Sequence, residues 1–259
     1  MKISIITATY NREKLLSKLY KSLCEQTCKD FEWIVIDDGS VDDTEELVNE
    51  FINKKIIYIT YVKKINGGKH TAMNLGIDIA KCEFCFFVDS DDFLPSNSIE
   101  IIYEKLNHIK NLDEYDKLAG ICGDNQDQNG RLIGTSSPNN KIMNYLDYRY
   151  KLKIKGDKSE IYRTKVLKEY KFPEFANEKF CPEALVWNRI AKYYDMFFFN
   201  DIIYVRYYQK DGLTSKITEI RRKSPKSTLL YYKEFATNPK IPYYFRLRAV
   251  INYLRFKVL

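Results

Sequence analysis

The chain has 259 residues, 45% hydrophobic and 30% charged. That is enough apolar residue to close one large core, and too much charge for a membrane bundle or too much apolar content for a disordered chain. No window approaches about 18 consecutive apolar residues, which argues against a transmembrane helix. The opening MKISIITATYN runs straight into a strand pattern, with no secretory leader, so the six cysteines are expected to be reduced thiols in the cytoplasm. The net charge of +7 is uneven. Residues 221–259 hold ten Lys and Arg against the single acid Glu234, a net of +9, which leaves the rest at −2. A near-neutral body with a basic tail predicts an anionic surface or partner for the tail alone.

Residues 3–8 form a continuous β-rich apolar run, as in a strand buried on both faces. The turn Thr9-Tyr10-Asn11-Arg12 follows. From Lys14 the spacing of Leu15, Leu16, Leu19, Tyr20 and Leu23 predicts a helix. A second strand over 31–36 ends in Asp37-Asp38-Gly39-Ser40, and Asp42 or Asp43 is expected to cap a helix over 44–53. Residues 56–62 alternate as a third strand, Gly67-Gly68 marks a loop, and 71–80 reads as helix. A fourth strand over 84–88 ends in Asp89-Ser90-Asp91-Asp92. Pro95 is expected to open a helix to Ile109. Strands alternating with helices imply a mainly parallel sheet. The polar clusters all follow strand ends, where open α/β sheets hold their ligands.

Beyond residue 115 the pattern loosens. Short strands are expected at 119–122, 131–134 and 160–163, a helix over 182–193, and one or two strands over 196–208. Ser224-Pro225 marks a boundary, so a body over 1–220, with halves meeting near 110, precedes a helical tail over 221–259. In that tail Leu247, Val250, Ile251, Leu254 and Val258 share one helical stripe flanked by Arg246, Arg248, Arg255 and Lys257. Such a stripe either enters a lipid interface while its basic neighbours reach the phosphates, or docks on the body.

Three carboxylates within Asp89-Ser90-Asp91-Asp92 repel one another, and a hard divalent cation such as Mg²⁺ or Mn²⁺ relieves that repulsion. A metal held there neutralises a diphosphate leaving group; alternatively the cluster is a solvated turn ahead of a helix. Asp37-Asp38 offers an acceptor for a base or ribose, or an Asp-Gly turn. The glycine-poor turn after the first strand is no dinucleotide or P-loop fingerprint. Cys82-x-x-Cys85 has no second pair and straddles a strand entry, so buried thiols are expected over zinc. Asp124 and Asp127 read as part of a solvated loop.

Four segments, ITATYNRE, VIDDGSVDDT, GGKHTAMNLGI and FFVDSDDF, in this order and spacing, resemble the family 2 glycosyltransferases of the GT-A fold. The segment running from GDKSEIYRTK through FPEFANEKFCPEALVWNRIAKYYD to GLTSK is similar to bacterial cell-surface polysaccharide transferases. The resemblance implies an α/β GT-A fold with a mainly parallel sheet flanked by helices. It implies a uridine pocket around Thr7, Ala8, Thr9 and Tyr10, with Asp38 meeting the uracil and Asp37 alongside. Asp91 would lie near the ribose and, with Asp92, hold Mn²⁺ or Mg²⁺ under the diphosphate; Asp89 and Ser90 would complete this nucleotide-sugar-binding motif, and Lys69, His70 and Asn74 would face the nucleotide-sugar. For His70 a plain turn role is the alternative.

An inverting transferase needs a general base for the acceptor hydroxyl. The family places an acid, usually Asp, at a helix start beneath the sugar; here the chain offers Glu178 and Glu183. Glu183, after Pro182 and four residues before Trp187, is the expected base, with Glu178 the substitute and helix-dipole complementation the competing role. Trp187 is expected in the core. Together these readings imply transfer of a hexose or N-acetylhexosamine from a UDP-sugar to a hydroxyl of a glycan acceptor. That acceptor is expected on a lipid carrier at the inner membrane face, and no nucleic acid is involved. The rivals are a sugar nucleotidyltransferase and a non-catalytic nucleotide- or glycan-binding module.

Overall fold

The structure is a computed structural model that describes residues 2–207 and 217–258. The first half follows the expected alternation: β1 (Ile3–Thr9), α1 (Glu13–Cys24), β2 (Phe31–Asp37), α2 (Thr44–Lys54), β3 (Tyr58–Lys63), α3 (Lys69–Ile79), β4 (Phe84–Phe87) and α4 (Ser98–Lys110). Then come β5 (Leu118–Asp127), β6 (Lys141–Met143), β7 (Ser159–Arg163), α5 (Thr164–Glu169), α6 (Glu183–Ile190) and β8 (Asp195–Arg206). The helices α7 (Ile217–Lys223), α8 (Pro225–Thr237) and α9 (Tyr243–Val258) follow. All eight strands of the described residues join one sheet, in the order β3-β2-β1-β4-β7-β5-β8-β6. Strands β1 to β4 pair in parallel, β7 runs against both β4 and β5, and β5 and β8 are parallel. The C-terminal ends of β1, β2, β4 and β8 therefore reach the same edge.

Alternation along the central strands splits the core between two faces. Ile3, Ile5, Trp33 and Val35 meet Leu16 and Leu19 of α1, Val48 of α2 and Ile102 of α4. Ile6, Ile34 and Ile36 meet Met73 and Ile77 of α3 and, further along, Val166 and Val186. Each such side chain, fully buried, contributes about 1.5–3 kcal/mol. Both faces are covered, so β1 and β2 are buried along nearly their whole length, and the polar Ser4 and Glu32 satisfy each other (2.6 Å). Gly76 lets α3 approach β1, since a Cβ there would strike the Ile6 side chain.

Several expectations change. β3 is a partly exposed edge strand that begins at Tyr58, two residues later than its alternation suggested. The helix after Pro95 starts at Ser98, because 95–97 form a turn whose Pro95 carbonyl accepts the Gln26 side-chain amide (2.7 Å). Residues 131–134 are no strand: they fold back on the end of β5, where the Asp127 carboxylate accepts the Asn129 and Arg131 N–H groups. Asp124 is no solvated loop residue either. It lies in β5, fully buried, 2.7 Å from the equally buried Lys158 ammonium, and also accepts from Ser137. The strand expected to Tyr208 ends at Arg206; Tyr208 and 212–216 lie outside the described residues. Cys82 and Cys85 are buried free thiols, and Trp187 is a core residue stacked on Tyr162.

The basic tail docks on the body with the face opposite its apolar stripe. Phe256 stacks on Tyr232 of α8, Phe245 meets Tyr150, and Ala249 joins the core with Phe235. Arg189 of α6 forks onto Glu234 of α8 (2.6 and 2.9 Å). Such bidentate guanidinium–carboxylate pairing fixes the relative orientation of the two helices.

Candidate active site

The strand ends at one sheet edge set the site. After β1, the Thr9 carbonyl accepts the Asp38 N–H (2.8 Å), so the two turns are laced together. Asp37 is fully buried and structural: its carboxylate accepts the Ser40 N–H (2.7 Å) and the Tyr61 hydroxyl (2.6 Å). Asp38 gathers the loop before α3. It accepts from Lys64 Nζ (2.8 Å) and the N–H groups of Gly67 (2.9 Å) and Gly68 (2.7 Å). Gly68 adopts φ +95, and a Cβ there would strike the Lys179 carbonyl, so only glycine permits this approach. Thr7 is buried with its hydroxyl accepting from the Trp33 indole (3.0 Å), and Thr9 is buried too. Tyr10 is exposed at the mouth, and Ala8 is half-buried.

Two residues expected to face the nucleotide-sugar turn inward instead. The Asn74 amide donates to the Phe172 carbonyl (2.9 Å) and Glu174 (2.7 Å), and accepts the Phe172 N–H (3.0 Å), so it clamps the loop after α5 to α3. His70 is buried in the first turn of α3, and burial pushes its pKa below 6.5 despite Glu174 and Asp38 nearby. Both share the segment GGKHTAMN with Lys69. The helical period sets His70 and Asn74, four residues apart, on one inward face and turns Lys69 away from it.

Lys69 does reach the cleft and organises it. Its ammonium lies 2.6 Å from Asp89 Oδ1 and 2.8 Å from Glu183 Oε1. Arg206, at the end of β8, lies 3.4 Å from Asp89 Oδ2 and 3.6 Å from Asp92 Oδ2. Opposite charges thus alternate from Glu183 through Lys69, Asp89 and Arg206 to Asp92. Burial raises the Asp89 pKa, but Lys69 and Arg206 outweigh it and hold the carboxyl at about 2. Asp92 goes the other way, up to about 6, through burial and the Asp89 charge. Its two oxygens accept from the Tyr204 hydroxyl and the Tyr207 N–H, both at 2.7 Å. Ser90 is buried behind them, whereas Asp91 is partly open, with Arg12 at 3.8 Å.

Glu183 is the first residue of α6, its side chain 43% exposed, and Pro182 occupies the cap position. Glu178, the other acid in that segment, is buried with its oxygens accepting the Lys226 (2.7 Å) and Ser227 (2.9 Å) N–H groups at the start of α8. It satisfies a helix N-terminus, which leaves Glu183 as the acid of the pair that faces the cleft. Beside Glu183 opens a cavity of about 330 Å³, also lined by Tyr145, Arg149, Glu160, Trp187 and Arg206. It is large enough for a sugar ring and carries both donors and acceptors.

Lys64, Arg206, Tyr204 and the Tyr145–Arg149–Glu160 cluster were not singled out from sequence. Arg206 had a signal: it is the first charge after the apolar run 202–205. Only the sheet order, with β8 parallel to β4, brings it to the acidic turn.

The edge-on polar turns, an open carboxylate at the acidic cluster and an acid at a helix start define a site for a nucleotide-linked substrate. Residues 4–171, more than half of the chain, match the family model Glycosyl transferase family 2, and the chain belongs to that family. It is 28% identical, over 82% of its own length and 67% of the relative's, to the GalNAc(5)-diNAcBac-PP-undecaprenol beta-1,3-glucosyltransferase of Campylobacter jejuni. To the poly(ribitol-phosphate) beta-N-acetylglucosaminyltransferase TarS of Staphylococcus aureus it is 28% identical over 71% of its length, but it spans only 30% of that protein. The crystal structure of TarS 1–349 with UDP-GlcNAc superposes with a TM-score of 0.69 at 22% identity, covering 99% of this chain and 72% of that one. A Pyrobaculum calidifontis mannosyltransferase with GDP-Man and Mn²⁺ gives 0.65 at 16% identity, over 99% and 73%. These superpositions establish the shared fold.

Proposed function

We propose that the protein is an inverting glycosyltransferase. It moves a hexose or N-acetylhexosamine from a UDP-sugar to a hydroxyl of a glycan in cell-surface polysaccharide synthesis. The observation that carries this reading is the placement of Glu183, held by Lys69 beside Asp89 at the mouth of a sugar-sized cavity. Family membership supports the reaction class, and the UDP-GlcNAc bound to TarS supports the donor.

In the reaction, the uridine lies over the turns after β1 and β2, near Thr9, Tyr10 and Asp38. Glu183 takes the proton of the acceptor hydroxyl as that oxygen bonds to C1 of the sugar. The C1–O bond to the diphosphate breaks on the opposite face, and UDP leaves with the electron pair. Lys69 holds Glu183 in place, and Arg206 and Arg12 add positive charge near the departing diphosphate.

A divalent metal fits one carboxylate of the cluster. Asp91 is open to the cleft, whereas Asp92 is engaged by Tyr204 and Tyr207 and Asp89 by Lys69. One carboxylate plus diphosphate oxygens and water is a common way to hold Mg²⁺. We assign Mn²⁺ or Mg²⁺ to Asp91, with Asp92 shaping the turn behind it and joining only if its hydrogen bonds open. When bound, the ion would neutralise charge on the leaving UDP. The Campylobacter relative's name carries an undecaprenol diphosphate. On that basis the acceptor here is assigned to a lipid carrier, and the enzyme to the inner face of the membrane. No helix among the described residues is long and apolar enough to cross a bilayer.

A panel of nucleotide-sugars tests this reading. UDP-hexoses or UDP-N-acetylhexosamines should raise the melting temperature and release UDP on adding glycan acceptor. Stabilisation only by other nucleotides would refute the donor assignment, and pyrophosphate release would indicate a nucleotidyltransferase.

A further inference from the structure

The outward face of α9 has an unusual composition for a water-facing surface. Leu247, Val250, Ile251 and Leu254 are 46%, 41%, 59% and 55% exposed, and Val258 is 88% exposed. At 3.6 residues per turn these five fall within an arc of about 100°. Tyr243 and Tyr244 continue that arc at the helix start, also exposed. On one side the arc is bordered by Arg246 and Lys257, on the other by Arg248 and Arg255. The opposite side, with Phe245, Ala249 and Phe256, is the side that docks. No acid occurs between Tyr243 and Val258. The only acid from 221 onward, Glu234, is turned inward onto Arg189. No other acid of this segment offsets its positive charge, while the body beyond it carries a slight negative charge.

We propose that this face of α9 seats the protein on an anionic lipid bilayer. The helix lies in the plane of the interface, with the stripe among the acyl chains near the headgroups and Arg248, Arg255 and Lys257 at the phosphates, while Arg246 donates to the Ala236 carbonyl (2.8 Å) at the edge of the body. This deepens the reading above, in which the acceptor is carried on a lipid. Three observations select a bilayer over other occupants. A second α9 would set four cations against four. A water-soluble polyanion would match the charge but leave the apolar arc exposed. A bilayer satisfies both at once, because its anionic surface attracts basic residues and its interface accepts the apolar ones. The attachment is also coupled to the chemistry. α8 lies between α9 and α6, and Arg189–Glu234 and Glu178 bind α8 to α6 and to the loop before Glu183. A protein resting on α9 therefore holds its catalytic acid at a set position relative to the lipid surface.

Sedimentation with vesicles tests this with the full chain. Vesicles of phosphatidylglycerol and phosphatidylcholine should bind the protein at low ionic strength. Binding should fall steeply near 1 M salt, where the screening length is about 3 Å, and vesicles of phosphatidylcholine alone should bind little. Each basic residue near the surface is worth about fivefold in partitioning. The combined variant Arg248→Glu, Arg255→Glu, Lys257→Glu should therefore lose at least about 100-fold. Leu247→Ser with Ile251→Ser and Leu254→Ser should lose at least about tenfold. All six positions are exposed, so UDP affinity should be unchanged in both variants. The proposal is overturned if the unaltered protein ignores anionic vesicles at low salt, if binding is insensitive to salt, or if both variants bind as before. It is also overturned if the stripe proves to drive self-association instead. UDP affinity of the unaltered protein is read separately, so failure of membrane binding and failure of the transfer reading give different results.

Discussion

Replacing Lys69 by methionine separates holding the fold from holding the site. The Lys69 ammonium sits between Asp89 (2.6 Å) and Glu183 (2.8 Å), and the Lys69 and Glu183 side chains are 42% and 43% exposed. For a pair that open, solvent screening limits the stability contribution to about 0–1 kcal/mol. The denaturation midpoint should therefore move little. The consequence for the site is larger, because methionine keeps the length but removes the cation between two carboxylates. At an effective dielectric of 20, two bare charges roughly 5 Å apart repel by about 3 kcal/mol before screening. The more exposed of the two, Glu183, is free to swing away. A displacement on the order of 1 Å in a reacting group costs about 10²-fold in rate. The assay is steady-state UDP release alongside UDP titration and urea denaturation. The expected pattern is kcat down roughly 10–100-fold, UDP affinity changed by less than about fivefold, and stability within about 1 kcal/mol. Unchanged kcat would refute the positioning role. A fall of several kcal/mol in stability would show that Lys69 is a structural residue.

Lys158→Met leaves the fully buried Asp124 without its partner, so urea denaturation should show a loss of about 3–5 kcal/mol. His70 predicts an acid-side weakness. Its folded pKa lies below the ordinary 6.5, so the unfolded chain binds a proton first, and stability falls as pH drops below about 6.5. His70→Asn should flatten thermal unfolding over that window. UDP should bind more tightly with Mn²⁺ than with chelator, and Asp91→Asn should remove most of that difference in a calorimetric titration. Equal affinity in chelator would dismiss the metal.

The first half of the fold was readable because its strands are buried on both faces. Runs such as Ile3–Thr9 and Phe31–Asp37 are short, β-branched and aromatic, as strands are, and each ends in a polar turn. The helix start that carries Glu183 was also readable, since Pro182-Glu183 opens α6 in plain sequence. Less visible were the destinations of polar side chains. Asp124 has the composition of a loop residue yet is buried, because Lys158, 34 positions away, neutralises it. Asn74 and Glu178 carry groups suited to ligands, but they close a loop and a helix end. Arg206 entered the site only through the order of strands. Sequence spacing specifies faces along one element, and these pairings join elements distant in the chain. The tail shows the same limit from the other side. Its stripe was legible, and tertiary packing turned that stripe outward by burying Ala249 and Phe256 and half-burying Phe245.

The central claim is that Glu183 is the base of an inverting transfer from a UDP-sugar. The most direct measurement is turnover of Glu183→Gln beside the unaltered protein, with the anomeric configuration of the product read by NMR. Glutamine keeps the shape and removes the proton acceptor. Inversion of the donor's α-linkage to a β-linked product, UDP binding retained in Glu183→Gln, and a loss of about 10²–10⁴ in kcat are the predicted results. An α-linked product, or near-normal kcat in the variant, would contradict it.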